Sequence, residues 1–482
     1  MKVARVGILA ALAVAAGASS AHAYDPATTH AGLTERAALA SDLHKILSRA
    51  LSRPLGLFEP VALSLDQLPP AQSQVLERRL AALDPSTGCT PGTDGVAPAL
   101  AWVIAGSVIA TTPAERGQHF FYDPSRGAGL SNAGGLASLG NTLGLLVDTG
   151  GFRSLFTGTQ FNMTGRPSTE WLRAPENDVG LDAFHANLDA AVAGETAQVR
   201  ATALARALLA LGGVLTILED AGEPAHVRND YRRAYLGNAG PSPFDRGSAF
   251  EQYVADAYGR MGMPTAVTPK QRPTMMAFIT ASDGQGLADR TQRRFFSDGS
   301  LPEDAIVDRG TTSAEVMVDA RTSLPYAYPR LPRLELKAIG RKHYAYTHDK
   351  RRLLAYERVP GRVRFFLDTA VYADTASALL PEIAGYGAGL INHLFRAEIH
   401  IDTGTAGSAL VSVAGARGSV RKGEVRVFAE DASGARKLLT TVQPDAAGVR
   451  VTVPGGTKRI AAVLRGEDDA GDLVAVGEAA IR

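Results

Sequence analysis

The chain of 482 residues is 45% hydrophobic and 21% charged, an ordinary globular composition that excludes disorder, collagen and coiled coil and allows two or three domains. Fifty basic residues against 49 acidic ones leave +1, so no global field draws the protein to nucleic acid or acidic lipid, and any such binding has to be local. Fifty Gly and 26 Pro against 31 Phe, Trp and Tyr describe a chain rich in loops and poor in aromatic anchors.

The first element reads as an export signal. Lys2 and Arg5 make a short positive start, Ile8 to Ala16 an apolar run too short to span a bilayer of about 30 Å, and Ala21-His22-Ala23 an A-x-A cleavage site. Residues 1–23 are then removed, and a secreted or periplasmic chain begins at Tyr24 with 48 basic and 49 acidic residues, net −1. No later stretch reads as apolar for long enough to cross a membrane. Cys89 is the only cysteine, so no intramolecular disulfide is expected; its setting in the Gly/Pro/Thr-rich stretch 85–98 makes it a loop thiol.

From Tyr24 to about Phe395 the hydrophobic period is mostly helical. Leu204, Leu208, Leu211, Leu215 and Leu218 mark one buried helix face, and Leu33 to Leu51 and Ala249 to Tyr258 carry similar stripes. A long Gly-rich connection runs from Ser125 to Gly165. After Phe395 the pattern changes to alternation, with strands expected at 399–401, 410–413, 424–428, 437–442, 449–453, 460–464 and 473–476, a β-sandwich of about 85 residues. The expected fold class is therefore mainly α: a helical domain over 24–395 and a small Ig-like β-sandwich over 396–482. The sandwich carries no His-rich or acidic cluster, which fits a structural or adhesive role, or surface or carbohydrate binding.

Four segments hold residues suited to chemistry. In Leu211 to Asp230, Thr216 and Asp220 share a helix face, and Pro224 ends the helix just before His226, bringing a carboxylate and an imidazole together at a helix end. Glu219 and Glu223 add charge there, and such a cluster either binds cations or repels itself; a solvated acidic turn is the plainer reading. His119 precedes three residues, Phe120 to Tyr122, that also suit a packed histidine. Glu251, in SAFEQYV, reads alone as a surface acid, and His30 as an unremarkable residue at the start of a helix.

Taken in order and spacing, these pieces resemble the zinc-dependent phospholipase C and P1 nuclease superfamily over roughly Tyr24 to Arg396. The matching stretches are Tyr24 with His30, His119-Phe120-Phe121-Tyr122-Asp123-Pro124, Asp220 with Pro224 and His226, and Glu251, with 286–302 and 379–396 also similar to secreted bacterial members. The resemblance implies zinc held by Tyr24 (through its free amine and carbonyl), His30, His119, Asp220, His226 and Glu251, with a metal-bound water as nucleophile. Arg228 and Asn229 would contact phosphate or substrate. The implied activity is hydrolysis of a phosphodiester, in a phospholipid or a nucleic acid.

The chain departs from that pattern at three positions. Thr216 and Gly247 stand where histidine ligands are expected, and the run around Thr111 lacks the expected acid. Glu115, Asp245, Glu219, Glu223 and His185 are nearby residues that could compensate. Two readings follow: a phosphoesterase with a reduced or rearranged metal cluster, or a catalytically inactive relative that binds phosphate-containing ligands or partners. Separately, residues 326–364 interleave Arg330, Arg333, Lys337, Arg341, Lys342, Lys350, Arg351, Arg352, Arg358, Arg362 and Arg364 with five tyrosines. That composition suits peripheral contact with single-stranded nucleic acid or anionic headgroups, and equally a solvated helix and loop face.

Overall fold

The computed structural model describes residues 24–80, 95–131, 164–230, 247–260, 267–302, 305–306, 313–314, 334–336, 339–404 and 407–481. The expected signal, Cys89, most of the Gly-rich connection, Asp245 and the stretch around Arg330 and Arg333 lie outside them. Seven helices organise the first part: α1 (Ala31–Ala40), α2 (Ala99–Ile109), α3 (Leu181–Ala193), α4 (Ala197–Asp220), α5 (Ala249–Ala257), α6 (Leu287–Arg294) and α7 (Thr369–Leu394). Side chains start three of them, α5 through a reciprocal cap of Ser248 and Glu251. Thr196 accepts from the Val199 amide ahead of α4, and Asp368 accepts from those of Ala370 and Val371 ahead of α7, satisfying amides that have no partner within the helix.

Helix α4 is the centre of the molecule. The Leu204 to Leu218 stripe is buried, but so is every other residue from Ala207 to Asp220, because α2, α3 and α7 close around it. The tightest crossing is with α2: a Cβ on Gly106 would run into the carbonyl oxygen of Leu209, and one on Gly212 into that of Val103. Two glycines thus let the two backbones touch. Contrary to the expectation that no stretch is apolar for long enough, α4 has the length and composition of a membrane-crossing helix; 83% of its apolar window is buried inside the protein.

The expected mainly α class is corrected: helix makes up 42% and strand 24%, a mixed fold. Part of the difference lies inside the region read as helical. Strand β1 (Ala305–Ile306) joins β2 (Lys342–Tyr346), β3 (Arg352–Val359) and β4 (Arg362–Phe366) in an antiparallel sheet of order β1-β4-β3-β2. Its signal was the alternation Arg362-Val363-Arg364-Phe365, with Val363 and Phe365 buried and the arginines outside; the density of charge masked that period of two. Pro360 and Gly361, the latter at φ +80°, make the tight turn between β3 and β4.

The last 85 or so residues form β5 (Glu398–Asp402), β6 (Ser408–Ala414), β7 (Lys422–Glu430), β8 (Arg436–Val442), β9 (Val449–Thr452), β10 (Arg459–Asp468) and β11 (Gly471–Ala480), each at an expected strand. They make a three-stranded sheet, β9-β6-β5, facing a four-stranded one, β8-β7-β10-β11. Strands β10 and β11 of the larger sheet are buried on both faces. Ile460, Ala462 and Leu464 point into the sandwich with Val411 and Val413, while Ala461 and Val463, one residue out of phase, join the core of the helices. Arginines fix the seam: Arg436 donates to Val192 O at 2.9 Å and pairs with Glu430 and Glu478, and Arg396, at the end of α7, pairs with Asp468 at 2.5 Å. The sandwich is thus continuous with the helical core and does not hang from a linker.

Substituting Gly106→Ala is expected to destabilise the protein by about 3 kcal/mol or more, because two backbones must separate. Gly259→Ala, with no atom within 4 Å of the added Cβ, should lie within about 0.5 kcal/mol of wild type. Urea unfolding of the two variants checks this.

Candidate metal centre

The chain leaves α4 at Asp220, turns through Glu223 and His226, and returns at the start of α5 with Glu251. His30, at the entry to α1, packs against the same end of α4. His30, Glu219, Asp220, Glu223, His226 and Glu251 are all 2% exposed or less. Four carboxyl groups shut away from water at the negative end of a helix dipole are a costly arrangement unless positive charge joins them.

Glu223, His226 and Glu251 each offer a ligand atom within 4.8 Å of the others, so this group could hold a metal ion. The surrounding backbone aims each of them. Glu223 accepts the His226 amide at 2.7 Å on one oxygen and the Ser248 hydroxyl at 2.9 Å on the other. Ser248 and Glu251 cap α5 reciprocally, which fixes the Glu251 carboxylate. His226 Nδ1 lies 3.0 Å from Phe120 O, and a carbonyl can only accept, so Nδ1 carries the proton and Nε2 presents its lone pair. Phe121 stacks on the same ring at 4.1 Å.

Nε2 of His226 faces Glu251 Oε1 at 3.7 Å, too far for a hydrogen bond. Burial, the largest influence, holds the His226 pKa below its ordinary value, and burial pushes Glu223 up to about 8. A neutral imidazole lone pair opposite a carboxylate is repulsive, and a cation between them makes it attractive.

The other half of the cluster is His30, Glu219 and Asp220. Glu219 receives His30 Nδ1 at 2.5 Å and the Thr34 hydroxyl at 2.8 Å. His30 Nε2 lies 3.3 Å from Asp220 Oδ1 but is not aligned for a hydrogen bond, and neither Asp220 oxygen accepts one. Burial alone would lower the His30 pKa; the Asp220 charge, the close approach of Nε2 to that carboxylate and the Glu219 hydrogen bond outweigh it and hold it at about 10, so His30 is the positive charge of this half of the cluster. Tyr24 closes the cluster, its ring edge-on to His30 and its hydroxyl donating to Gly222 O at 3.3 Å.

Of the six residues expected as ligands, His30, Asp220, His226 and Glu251 lie in this cluster, and Tyr24 borders it by its ring and hydroxyl, not by the amine and carbonyl expected of it. His119 does not join them. Its ring stacks on Trp171 at 4.3 Å and its Nδ1 accepts the Arg166 amide at 3.0 Å, the packed histidine that its aromatic neighbours also allowed. Arg228 is committed to the carbonyls of Phe295 and Gln292, and Asn229 to Gly129 O and the Ser131 amide, so both hold loops together.

Of the residues named as compensating, Glu219 and Glu223 lie in the cluster, Glu115 is exposed on its short helical turn, and His185 is buried on α3 near Arg465 and Arg173. The positions that lack ligands have local reasons. Thr216 bonds back to Gly212 O at 3.1 Å within α4, and Gly247 sits at φ +66°, where a histidine would be strained. The sequence does carry a signal for Glu219 and Glu223: acids in and after the last turn of an apolar helix oppose its dipole.

Of the basic stretch, three described cations face acids. Lys342 meets Asp368 at 2.7 Å, Arg352 meets Asp374 at 3.2 Å and Arg364 meets Glu357 at 2.9 Å, while Arg351 stacks on Phe295. No family model matches the chain, and neither the curated proteins nor the solved structures contain a match to it.

Gly247→His should lower stability by about 1–2 kcal/mol without raising metal content, because the left-handed backbone rejects a Cβ; elemental analysis beside urea unfolding checks both. His185 gives a pH prediction. Burial, then Arg465 and Arg173, push its pKa down to about 3, below the ordinary 6.5, so the unfolded chain takes up the proton first. Its contribution is present above pH 6.5 and lost as pH falls toward 3. Wild type should lose about 3 kcal/mol more than His185→Leu between pH 6.5 and 4, and equal losses would remove this histidine from the account.

Proposed function

We propose that the protein is an exported phosphoester hydrolase of the phospholipase C and P1 nuclease type, with a rearranged zinc site centred on Glu223, His226 and Glu251. The observation that carries this reading is the mutual approach of those three side chains beside Asp220, a buried carboxylate that accepts no hydrogen bond. Two carboxylates and one imidazole suit zinc, whose catalytic sites use three protein ligands and keep one position open.

When bound, zinc supplies Lewis acidity toward a phosphoryl oxygen. The chain supplies the rest. The Phe120 carbonyl, the Ser248 hydroxyl and the amides of Ser248 and His226 orient the three ligands; Glu219 fixes the His30 ring; and Asp220, 3.3 Å from His30 Nε2, is the carboxylate we assign to taking a proton from an attacking water. Loss of ligands at Thr216, Gly247 and Thr111, and the separate place of His119, favour one ion over a three-ion cluster. A phosphodiester in lipid or nucleic acid is the substrate class that the resemblance implies.

A second reading rests on a different observation: with all three ligands 2% exposed or less, a bound ion could serve to hold the fold of a non-catalytic binding protein. Elemental analysis of protein beginning at Tyr24, paired with hydrolysis of bis(p-nitrophenyl) phosphate, separates the two. We expect about one zinc per chain, turnover, and loss of both in Glu223→Gln and His226→Ala. Zinc without turnover would leave the binding reading, and a chain holding no ion would sink both. A chelator should lower the melting temperature of wild type and leave that of Glu223→Gln unchanged.

A further inference from the structure

A cavity lies at the opposite end of α4. Where the helices meet the sandwich, it opens, about 410 Å³ in volume, between the turn at Leu51 to Arg53, the first residues of α4 and the ends of the four strands of the larger sheet. Four arginines line it, Arg53, Arg200, Arg436 and Arg459, against two acids, Glu430 and Glu478.

Both acids are already engaged. Glu430 holds Arg200 at 3.2 Å and Arg436 at 2.7 Å; Glu478 holds Arg436 at 2.5 Å and Arg459 at 3.2 Å. The Arg53 guanidinium has no hydrogen bond or ion pair among the described residues. It is presented by Ser52, which holds the left-handed conformation at φ +50°. The wall thus carries two positive charges more than it neutralises, in a protein whose overall balance is +1. Burial and the neighbouring guanidiniums of Arg436 and Arg53 lower the Arg200 pKa, a sign of like charges held close.

We infer that this cavity binds a small molecule carrying a phosphate monoester, whose dianion cancels the local excess of two charges. A monoester carries close to two negative charges at pH 7, its planar faces of oxygen match the guanidinium fork, and the volume falls in the range of small-ligand pockets. The ligand would tie the sandwich to the helices, since Arg53 and Arg200 belong to one side and Arg436 and Arg459 to the other. Nineteen or so helical residues, about 30 Å, separate it from the metal centre. The two sites fail independently.

The test is calorimetry on the full mature chain with inorganic phosphate and adenosine 5′-monophosphate as probes, at constant ionic strength, with acetate as a monoanion control. Arg53 is the residue to change, because it lies outside the ion-pair network that holds the seam. We expect both probes to bind and to raise the melting temperature, Arg53→Gln to weaken them by about tenfold or more, and its metal content to match wild type. Arg459→Gln should weaken them in the same direction. The proposal is overturned if neither probe binds below about 10 mM, if Arg53→Gln and Arg459→Gln bind as wild type does, or if acetate binds as well as phosphate.

Discussion

Everything near the C-terminal end of α4 is arranged around buried negative charge. Glu219, Asp220 and Glu223 follow a helix whose dipole already makes that end negative, and Glu251 is brought against them from α5. In so dry a place each carboxylate needs a donor or a cation, or it gives up its charge. The local structure answers this group by group: His30 and Thr34 serve Glu219, Ser248 and the His226 amide serve Glu223, and the α5 cap serves Glu251. Asp220 accepts no hydrogen bond from any described residue, and beside it the His226 lone pair looks toward Glu251. His30, its pKa raised, supplies positive charge beside Glu219 and Asp220, and a metal ion held by Glu223, His226 and Glu251 would supply it for the other half.

The same helix joins that centre to the rest of the molecule. Its glycines admit α2 at backbone contact, and α3 packs between it and the large sheet of the sandwich. Because β10 is apolar on both faces, the sandwich core and the helical core share one strand layer. The seam at Arg436 and Arg396 is therefore held by packed elements on both sides, with no linker between them.

Much of the cluster was legible in the sequence because residues close together in the chain are placed by local geometry. Asp220, Glu223 and His226 share one helix end and its turn, and Pro224 marks where that turn begins. Glu251 and His30 come from remote segments, and their order along the chain rather than any local pattern brought them into the set. His119 misled for a physical reason. The aromatic residues that follow it belong to the core, but the ring itself turns to Trp171, and no spacing rule gives that direction. Gly247 was seen as a missing ligand, whereas its backbone conformation makes it the residue that the approach to the α5 cap requires.

The sequence by itself determined the periodic parts: the stripe of α4, the seven alternating strands of the sandwich, the acidic turn and the glycine-rich character of the connections. These follow from side-chain period and turn chemistry, which act within a few residues. Only the tertiary structure decided that α4 is buried all round, that the charged segment from Lys342 to Phe366 is a sheet, and that the sandwich shares a core with the helices. It also decided which acids meet and which arginines crowd the seam. Those outcomes depend on contacts between residues remote in the chain, 350 apart in one hydrogen bond, and their free energy resides in the assembled packing and in shared burial, of which a local window of sequence contains no part.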